Sequence, residues 1–244
     1  MANNFKGAVD KAVWKVARNL IRDYNELELL NSTNRATENF VAQSLSRAKE
    51  IYTQELSQQA FTSIQFMDTY KAINHDGNHI IISPIGSTQN LQRGFSFFST
   101  SIIQIQYHEQ QANVMAALIS FPALGYIFYA EKGHGAWMET YQDSGTGKGR
   151  RLRVSGIKKI EDAITSRKYA EVNNNVRFSR DFGSPEYEIA SFVSGKLDAI
   201  IVESGDKFNR MLAEIFTKEA GGFVKILDNL DLLAINNSLS SNLS

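Results

Sequence analysis

The sequence predicts a mixed α/β (α+β) fold, and three observations predict it. Apolar residues recur at three- and four-residue spacing through the first 56 positions, and strand-like apolar runs crowd together between Ser63 and Val154. From Pro185 to Leu227 the pattern alternates between helix and strand. At 43% hydrophobic and 21% charged, the 244 residues carry enough apolar side chains for one large core or two modest ones, and the composition is not that of a disordered chain. The reading is a helix pair plus a large, mainly antiparallel sheet over residues 1–145 and an α/β half over 146–244, forming one integrated globular unit.

Taken in order, Phe5, Val9, Val13, Val16, Leu20 and Tyr24 form one apolar stripe, with Lys6, Lys11, Lys15, Arg18 and Arg22 largely off it, so residues 5–24 read as an amphipathic helix. Phe40, Val41, Leu45, Ala48, Ile51, Tyr52 and Leu56 keep the same period over 37–56. Strands are expected at 63–66, 80–82, 100–107, 113–119, 126–130 and 151–154. The alternation Ile103-Gln104-Ile105-Gln106-Tyr107 predicts a strand with one buried and one wet face. Pro185 opens a helix to Val193, residues 199–202 read as a strand, and 208–220 read as a helix stopped by Gly221-Gly222. A last strand follows at 223–227.

Several function classes are excluded or disfavoured. No cysteine is present, so disulfides, thiolate metal sites and a cysteine nucleophile are absent, leaving carboxylates and four histidines for metal chemistry. Among the histidines, His75 and His79 are four apart, but Asp76-Gly77-Asn78 between them reads as a turn, and surface histidines are expected. Asp68, Asp76 and Asp198 read as solvated. Basic and acidic residues balance at 26 each, and the basic run Arg150-Arg151-Leu152-Arg153, with Lys148, Lys158 and Lys159, lacks interleaved aromatics; direct nucleic-acid binding is not expected. That run reads instead as a solvated strand edge. Ser144-Gly145-Thr146-Gly147-Lys148-Gly149 looks like a phosphate loop, but Gln142 stands where its first glycine should be and Gly149 where its hydroxyl should be, so a hairpin tip is expected. The uncharged run Ala112 to Ala130 is broken by Pro122 and Gly125 and reads as two strands rather than a membrane span. Met1 to Lys6 lacks the apolar stretch of a signal peptide, and a cytoplasmic location is expected.

Ser83-Pro84-Ile85-Gly86-Ser87-Thr88-Gln89-Asn90, then Gly94-Phe95, is similar to the Asp-Pro-Ile-Asp-Gly-Thr-Thr-Asn loop and downstream Gly-Phe of the inositol monophosphatase family, in particular its bacterial SuhB-like branch. Ala130-Glu131-Lys132-Gly133-His134-Gly135-Ala136 and Arg151-Leu152-Arg153-Val154-Ser155 resemble its hairpin and return strand. Gly183-Ser184, Ser194-Gly195-Lys196-Leu197-Asp198-Ala199, Glu219-Ala220-Gly221-Gly222 and Ala234-Ile235-Asn236-Asn237 match its later motifs in order. The resemblance implies a layered α/β/α/β sandwich, a homodimer, and phosphatase chemistry run by magnesium ions held on carboxylates.

At the family's acidic positions, however, this sequence carries other residues. The two loop aspartates fall at Ser83 and Gly86, the helix aspartate at Asn209, and the glutamate pair near Met67 and Asp68. The acid that organises the nucleophilic water falls at Leu45. Ile85 keeps its carbonyl and Thr88 its water-aligning hydroxyl. Each lost carboxylate removes an attraction of several kcal/mol for a divalent ion at about 4 Å in a dielectric of about 20. Millimolar magnesium binding is worth only about 4 kcal/mol in all. These considerations lead to the expectation of no bound metal and no cofactor, although the family uses Mg2+.

The chain is accordingly expected to have lost phosphatase activity and to act as a non-catalytic interaction or regulatory protein, with transcription antitermination machinery as the partner class that the resemblance implies. The alternative is a residual phosphoric monoester hydrolase acting on inositol-1-phosphate or a related sugar phosphate. The amides of Gly86, Ser87 and Thr88 are also expected to attract phosphate or sulfate weakly, because the acids that would repel it are gone.

Overall fold

The computed structural model describes residues 5–29, 34–143 and 149–241. The segment Ser144 to Lys148, expected as a hairpin tip, lies outside the described residues. Packing divides the chain into two units, Met1–Ile127 with Thr140–Gln142, and Phe128–Glu139 with Asp143–Ser244. The fold is mixed α/β, as expected, with its strands in two sheets.

In the first unit, helices α1 (Phe5–Leu29) and α2 (Asn34–Leu56) pack together. α1 buries Phe5, Val9, Val13, Val16 and Leu20, the stripe its spacing predicts, and α2 buries Val41, Ala48, Tyr52 and Leu56. Between these apolar stripes lies one polar pin. Asp23, only 1% exposed, accepts from Arg47 Nη2 at 2.7 Å, and Arg22 Nη2 lies 3.0 Å from its other oxygen.

Strands β1 (Ser63–Phe66) and β2 (Gly77–Gly86) run parallel, from Ser63 opposite His79 to Phe66 opposite Ile82. A short helix α3 (Thr88–Gln92) follows β2. Strands β3 (Ser99–His108) and β4 (Gln111–Phe121) then continue the sheet antiparallel, in the order β1-β2-β3-β4. Ile80, Ile81 and Ile82 are all buried, so neither face of β2 meets solvent there. The expected wet face of β3 is corrected in part: Gln104 is buried, and exposure on that face begins only at Gln106, beyond the bulge between Gln104 and Ile105. Pro122–Leu124 forms a single 3-10 turn ending at Gly125, whose φ of 72° suits glycine. Among the described residues no helix is long and apolar enough to cross a membrane.

In the second unit, β5 (Tyr126–Glu131, of which Phe128 onward belongs here), β6 (Gly135–Thr140) and β7 (Arg150–Arg151) come first, with Trp137 opposite Arg151 and Met138 opposite Arg150. The strand expected at 151–154 is therefore shorter: β7 ends at Arg151, Leu152 N–H still donates to Ala136 O of β6, and Val154 N–H donates instead to Ala220 O. Then follow β8 (Ile164–Ser166), α4 (Arg167–Val172), β9 (Phe178–Arg180), α5 (Pro185–Val193), β10 (Ala199–Val202), α6 (Lys207–Glu219), β11 (Phe223–Ile226), β12 (Leu232–Ile235) and α7 (Asn237–Ser240).

The five strands are ordered β11-β12-β10-β8-β9. β10 lies antiparallel to β12 and parallel to β8, over a core of Tyr169, Ile201, Leu233, Ile235 and Leu239. Asp198, expected in solvent, is 4% exposed. Its carboxylate accepts from Ile164 N–H at 2.7 Å and from the Ser155 hydroxyl, which fixes the entry to β8.

Asp23→Ala would strand the Arg47 guanidinium in the α1–α2 seam. Arg47 remains partly exposed, so the expected loss is about 2–3 kcal/mol, short of the 3–5 typical of fully buried pairs. Urea unfolding measures it, and a loss below about 0.5 kcal/mol, typical of surface sites, would contradict the role assigned to this pair.

Candidate functional site

Parallel strands deliver their C-terminal ends to the same edge, so the β1–β2 register brings Met67 and Asp68, just past Phe66, beside the Ser83–Gly86 end of β2. Met67 and Asp68 open a 3-10 turn and both are exposed. The Asp68 carboxylate is taken by Lys49 Nζ, which also lies 5.5 Å from the Phe66 ring centroid. Ser83 is buried. Its carbonyl accepts from Thr100 Oγ1 at 3.3 Å, and Thr100 Oγ1 lies 2.7 Å from the Tyr52 hydroxyl. Because Thr100 spends its only hydrogen on Ser83, Tyr52 is the donor. Burial pushes the Tyr52 phenol above its ordinary range and keeps it protonated for that role.

Within the irregularity between Ser83 and Gly86 Ile85 is buried, and just beyond it Ser87 adopts a left-handed conformation, φ 56° and ψ 50°, at the N-cap of α3. Thr88 is half-buried as the first residue of α3, and Leu45 is half-buried on α2. With five residues, α3 has little macrodipole to offer an anion at Gly86–Thr88. Toward the opposite end of β2, His79 is buried rather than on the surface as expected. Its Nε2 faces the His75 carbonyl at 3.0 Å, an acceptor only, so Nε2 carries the hydrogen and Nδ1 accepts from Ser63 Oγ at 2.8 Å. Burial lowers its pKa, and the neutral ring serves as a strand tie.

In the second unit Asn209 is buried near the start of α6. Its backbone N–H and its Nδ2 both donate to the N-cap Asp206, at 3.0 and 2.7 Å, while its Oδ1 has no hydrogen-bond partner. In the first unit the donors at the positions singled out are a serine hydroxyl, the Ile85 carbonyl and a carboxylate already paired with lysine, and in the second one neutral amide oxygen. Magnesium takes hard oxygen ligands with carboxylates supplying charge, and neither unit by itself brings that charge to these positions. Among the described residues, no group of three or more His, Asp or Glu could hold a metal ion.

A cavity of about 340 Å3 in the same unit was not foreseen. Arg167, Lys168, Ser184, Glu188, Glu203 and Asp206 are among its lining residues. Ser184 caps α5 by accepting from Tyr187 N–H, and this places Glu188 one turn into the helix. Lys168 pairs with Glu203, and Arg167 with Glu171 and Asp181. Burial pushes the Glu188 carboxyl up to about 7, and the charge of Asp181 adds to the shift. A carboxyl that titrates near neutrality can give or take a proton at the cavity wall. In the sequence Glu188 is one acid among 26, with no motif to separate it from the others.

The model of the inositol monophosphatase family matches residues 5–233. An inositol-1-monophosphatase of Mesorhizobium japonicum is 26% identical over 235 residues, spanning 89% of this chain and 84% of the relative. The extragenic suppressor protein SuhB of Bartonella henselae superposes with a TM-score of 0.72 at 24% identity, over 97% of this chain and 96% of that one. SuhB of Mycobacterium tuberculosis superposes with a TM-score of 0.74 at 18% identity, over 98% and 93%. These matches correct one expectation. The family is magnesium-dependent, so magnesium is the cofactor against which this chain has to be tested, and the expectation of no cofactor is withdrawn.

Two outcomes follow from this geometry. Asn209→Asp would place a second carboxylate against Asp206 in place of an amide donor, costing about 1–3 kcal/mol; a thermal melt equal to wild type would refute that contact. Glu188 binds its proton more tightly in the folded chain, at about 7 against an ordinary 4.5. Its contribution is therefore complete below pH 4.5 and is lost as pH rises through 7. Glu188→Gln should flatten that part of the stability–pH profile and raise the melting temperature at pH 8, whereas a profile parallel to wild type would exclude this assignment.

Proposed function

Because this chain belongs to the inositol monophosphatase family, we propose that it is a member that works without phosphatase turnover, as a binding or regulatory protein. The observation that carries the reading is the chemistry of the six positions where the resemblance puts acids. Ser83, Gly86, Asn209, Leu45 and Met67 bear no carboxylate, and Asp68 is engaged by Lys49.

In-line attack on a phosphate ester needs an activated water and stabilisation of charge on the phosphoryl oxygens. Leu45 can do neither, and the Asn209 amide spends its donors on the α6 cap. The backbone around these positions is nevertheless kept in order by buried hydrogen bonds such as Tyr52–Thr100–Ser83. Retained architecture with the reactive charges removed supports a role in which shape, and not turnover, is used. On this reading the protein acts in the cytoplasm as a homodimer, and transcription antitermination machinery is the partner class to test.

A second reading, residual hydrolysis of inositol-1-phosphate or a related sugar phosphate, is favoured by the retained Thr88 hydroxyl at the start of α3 and the Ile85 carbonyl. Phosphate release from inositol-1-phosphate in excess magnesium separates the two. The expected result is release no faster than the enzyme-free control, with no change on Thr88→Ala. Turnover that Thr88→Ala abolishes would establish the second reading instead.

A further inference from the structure

The basic run after β6 has a place in the fold that the proposed function does not use. Arg151 and Arg153 stand two residues apart on an extended segment. Their side chains therefore share one face, while Leu152 between them is buried on the other. The segment is held by Leu152 N–H to Ala136 O at 2.8 Å and by Val154 N–H to Ala220 O at 3.2 Å. The two arginines, with Lys218 and Glu219, line a cavity of about 280 Å3 beside Gly133 and Gly135.

The negative groups around this cavity are already occupied. The Glu219 carboxylate accepts Gly133 N–H on one oxygen and Gly135 N–H on the other, at 2.8 Å each. Both glycines have positive φ, 80° and 88°, which turns their amides toward it. The carbonyls that end α6 are taken by backbone donors, Thr217 O by Gly222 N–H at 2.8 Å and Lys218 O by Gly221 N–H at 3.2 Å. Gly221 O accepts from Asn237 Nδ2 at 2.8 Å.

Lys218 pairs with Glu214 on its own helix. Among the described residues neither Arg151 nor Arg153 forms an ion pair. Arg151 lies 5.8 Å from the Trp137 ring centroid, and its guanidinium packs so closely on Gly135 that an added Cβ there would meet it at 3.2 Å.

We propose that this cavity binds a phosphate dianion, either inorganic phosphate or the phosphate group of a small monoester. Two guanidinium forks on one face match the oxygens of a tetrahedral dianion, and each charge-assisted bond is about twice as strong as a neutral one. The volume lies just under the usual range for small-molecule pockets, about 300–1,000 Å3, which suits a phosphate with a small substituent. A polynucleotide is disfavoured because no aromatic side chain lines this cavity to stack a base. This site is separate from Gly86–Thr88, and it does not depend on whether the chain turns over substrate.

The test is an amide and guanidinium NMR titration of the full chain with inorganic phosphate and with glycerol 3-phosphate, at ionic strength held constant with sodium chloride. A parallel arm uses oligouridylate. Saturable shifts are expected at Gly133, Gly135 and the Nε–H signals of Arg151 and Arg153. In Arg151→Gln/Arg153→Gln, affinity should fall about tenfold or more, since two charge-assisted bonds are lost. Both side chains are exposed, and an unchanged thermal melt verifies the fold of the double variant. Arg153→Lys, which keeps the charge and loses the fork, should fall between the two. The proposal is overturned if chloride alone reproduces the shifts, if the shifts map only to Gly86–Thr88, if the double variant binds as wild type does, or if oligouridylate saturates the site while both phosphates fail.

Discussion

The parallel pairing of β1 with β2 is the constraint on which the first unit depends. A parallel pair cannot be closed by a tight turn, so the chain between Phe66 and Gly77 must travel back along the sheet, and the strands end together at one edge. The two chain segments that the family resemblance marks as acidic, around Met67 and around Ser83 to Gly86, thus become neighbours. Buried polar ties hold the pair at both ends. His79, near the start of β2, is locked between Ser63 Oγ and the His75 carbonyl, and at the far end Tyr52 and Thr100 fasten the Ser83 carbonyl. These bonds are made by neutral groups, and they persist whatever charge stands at the strand ends.

A cation centre and a stable protein interior make opposite demands on a carboxylate. The first needs anionic oxygens that the protein leaves for the ion, and the second needs every buried acceptor matched to a protein donor. The following carboxylates of this chain meet the second demand. Asp206 serves the α6 N-terminus and Asn209, Asp198 anchors Ile164 and Ser155, Glu219 fills the amides of Gly133 and Gly135, and Asp68 answers Lys49. Glu188 stands apart, since burial and Asp181 together make its charged form unfavourable and leave a carboxyl that titrates near neutrality in a cavity wall. The guanidinium groups of Arg151 and Arg153 show the reverse imbalance, being cations whose nearby acceptors are already used.

How much of this could be read from the residues differs by element. The long helices α1 and α2 and the buried strands β2 to β4 follow from periodicity, because each places many apolar side chains on a face. The capped helix α5 was legible from Gly183-Ser184-Pro185, since the serine side chain and the missing proline N–H both belong at a helix start. Elements that escaped notice are short or polar: β8 has three residues, and the three of β9 are all exposed. Such strands exist because a neighbour offers free N–H and C=O groups, which no local pattern records. Gln104, His79 and Asp198 are buried for the same reason. A polar side chain reads as solvated until a specific partner satisfies it, and those partners lie on other strands and loops.

What the residues alone determined is the family, because chemical identity and order along the chain do not depend on conformation. Folding decided where the remaining charges are spent. Whether a carboxylate meets a lysine, a helix cap, a pair of glycine amides or a poorly solvating wall depends on through-space distances of a few ångströms. Those distances are set by strand register and helix docking between segments far apart in the chain, so the cavity behind Glu188 and the two unpaired arginines could be found only in the folded molecule.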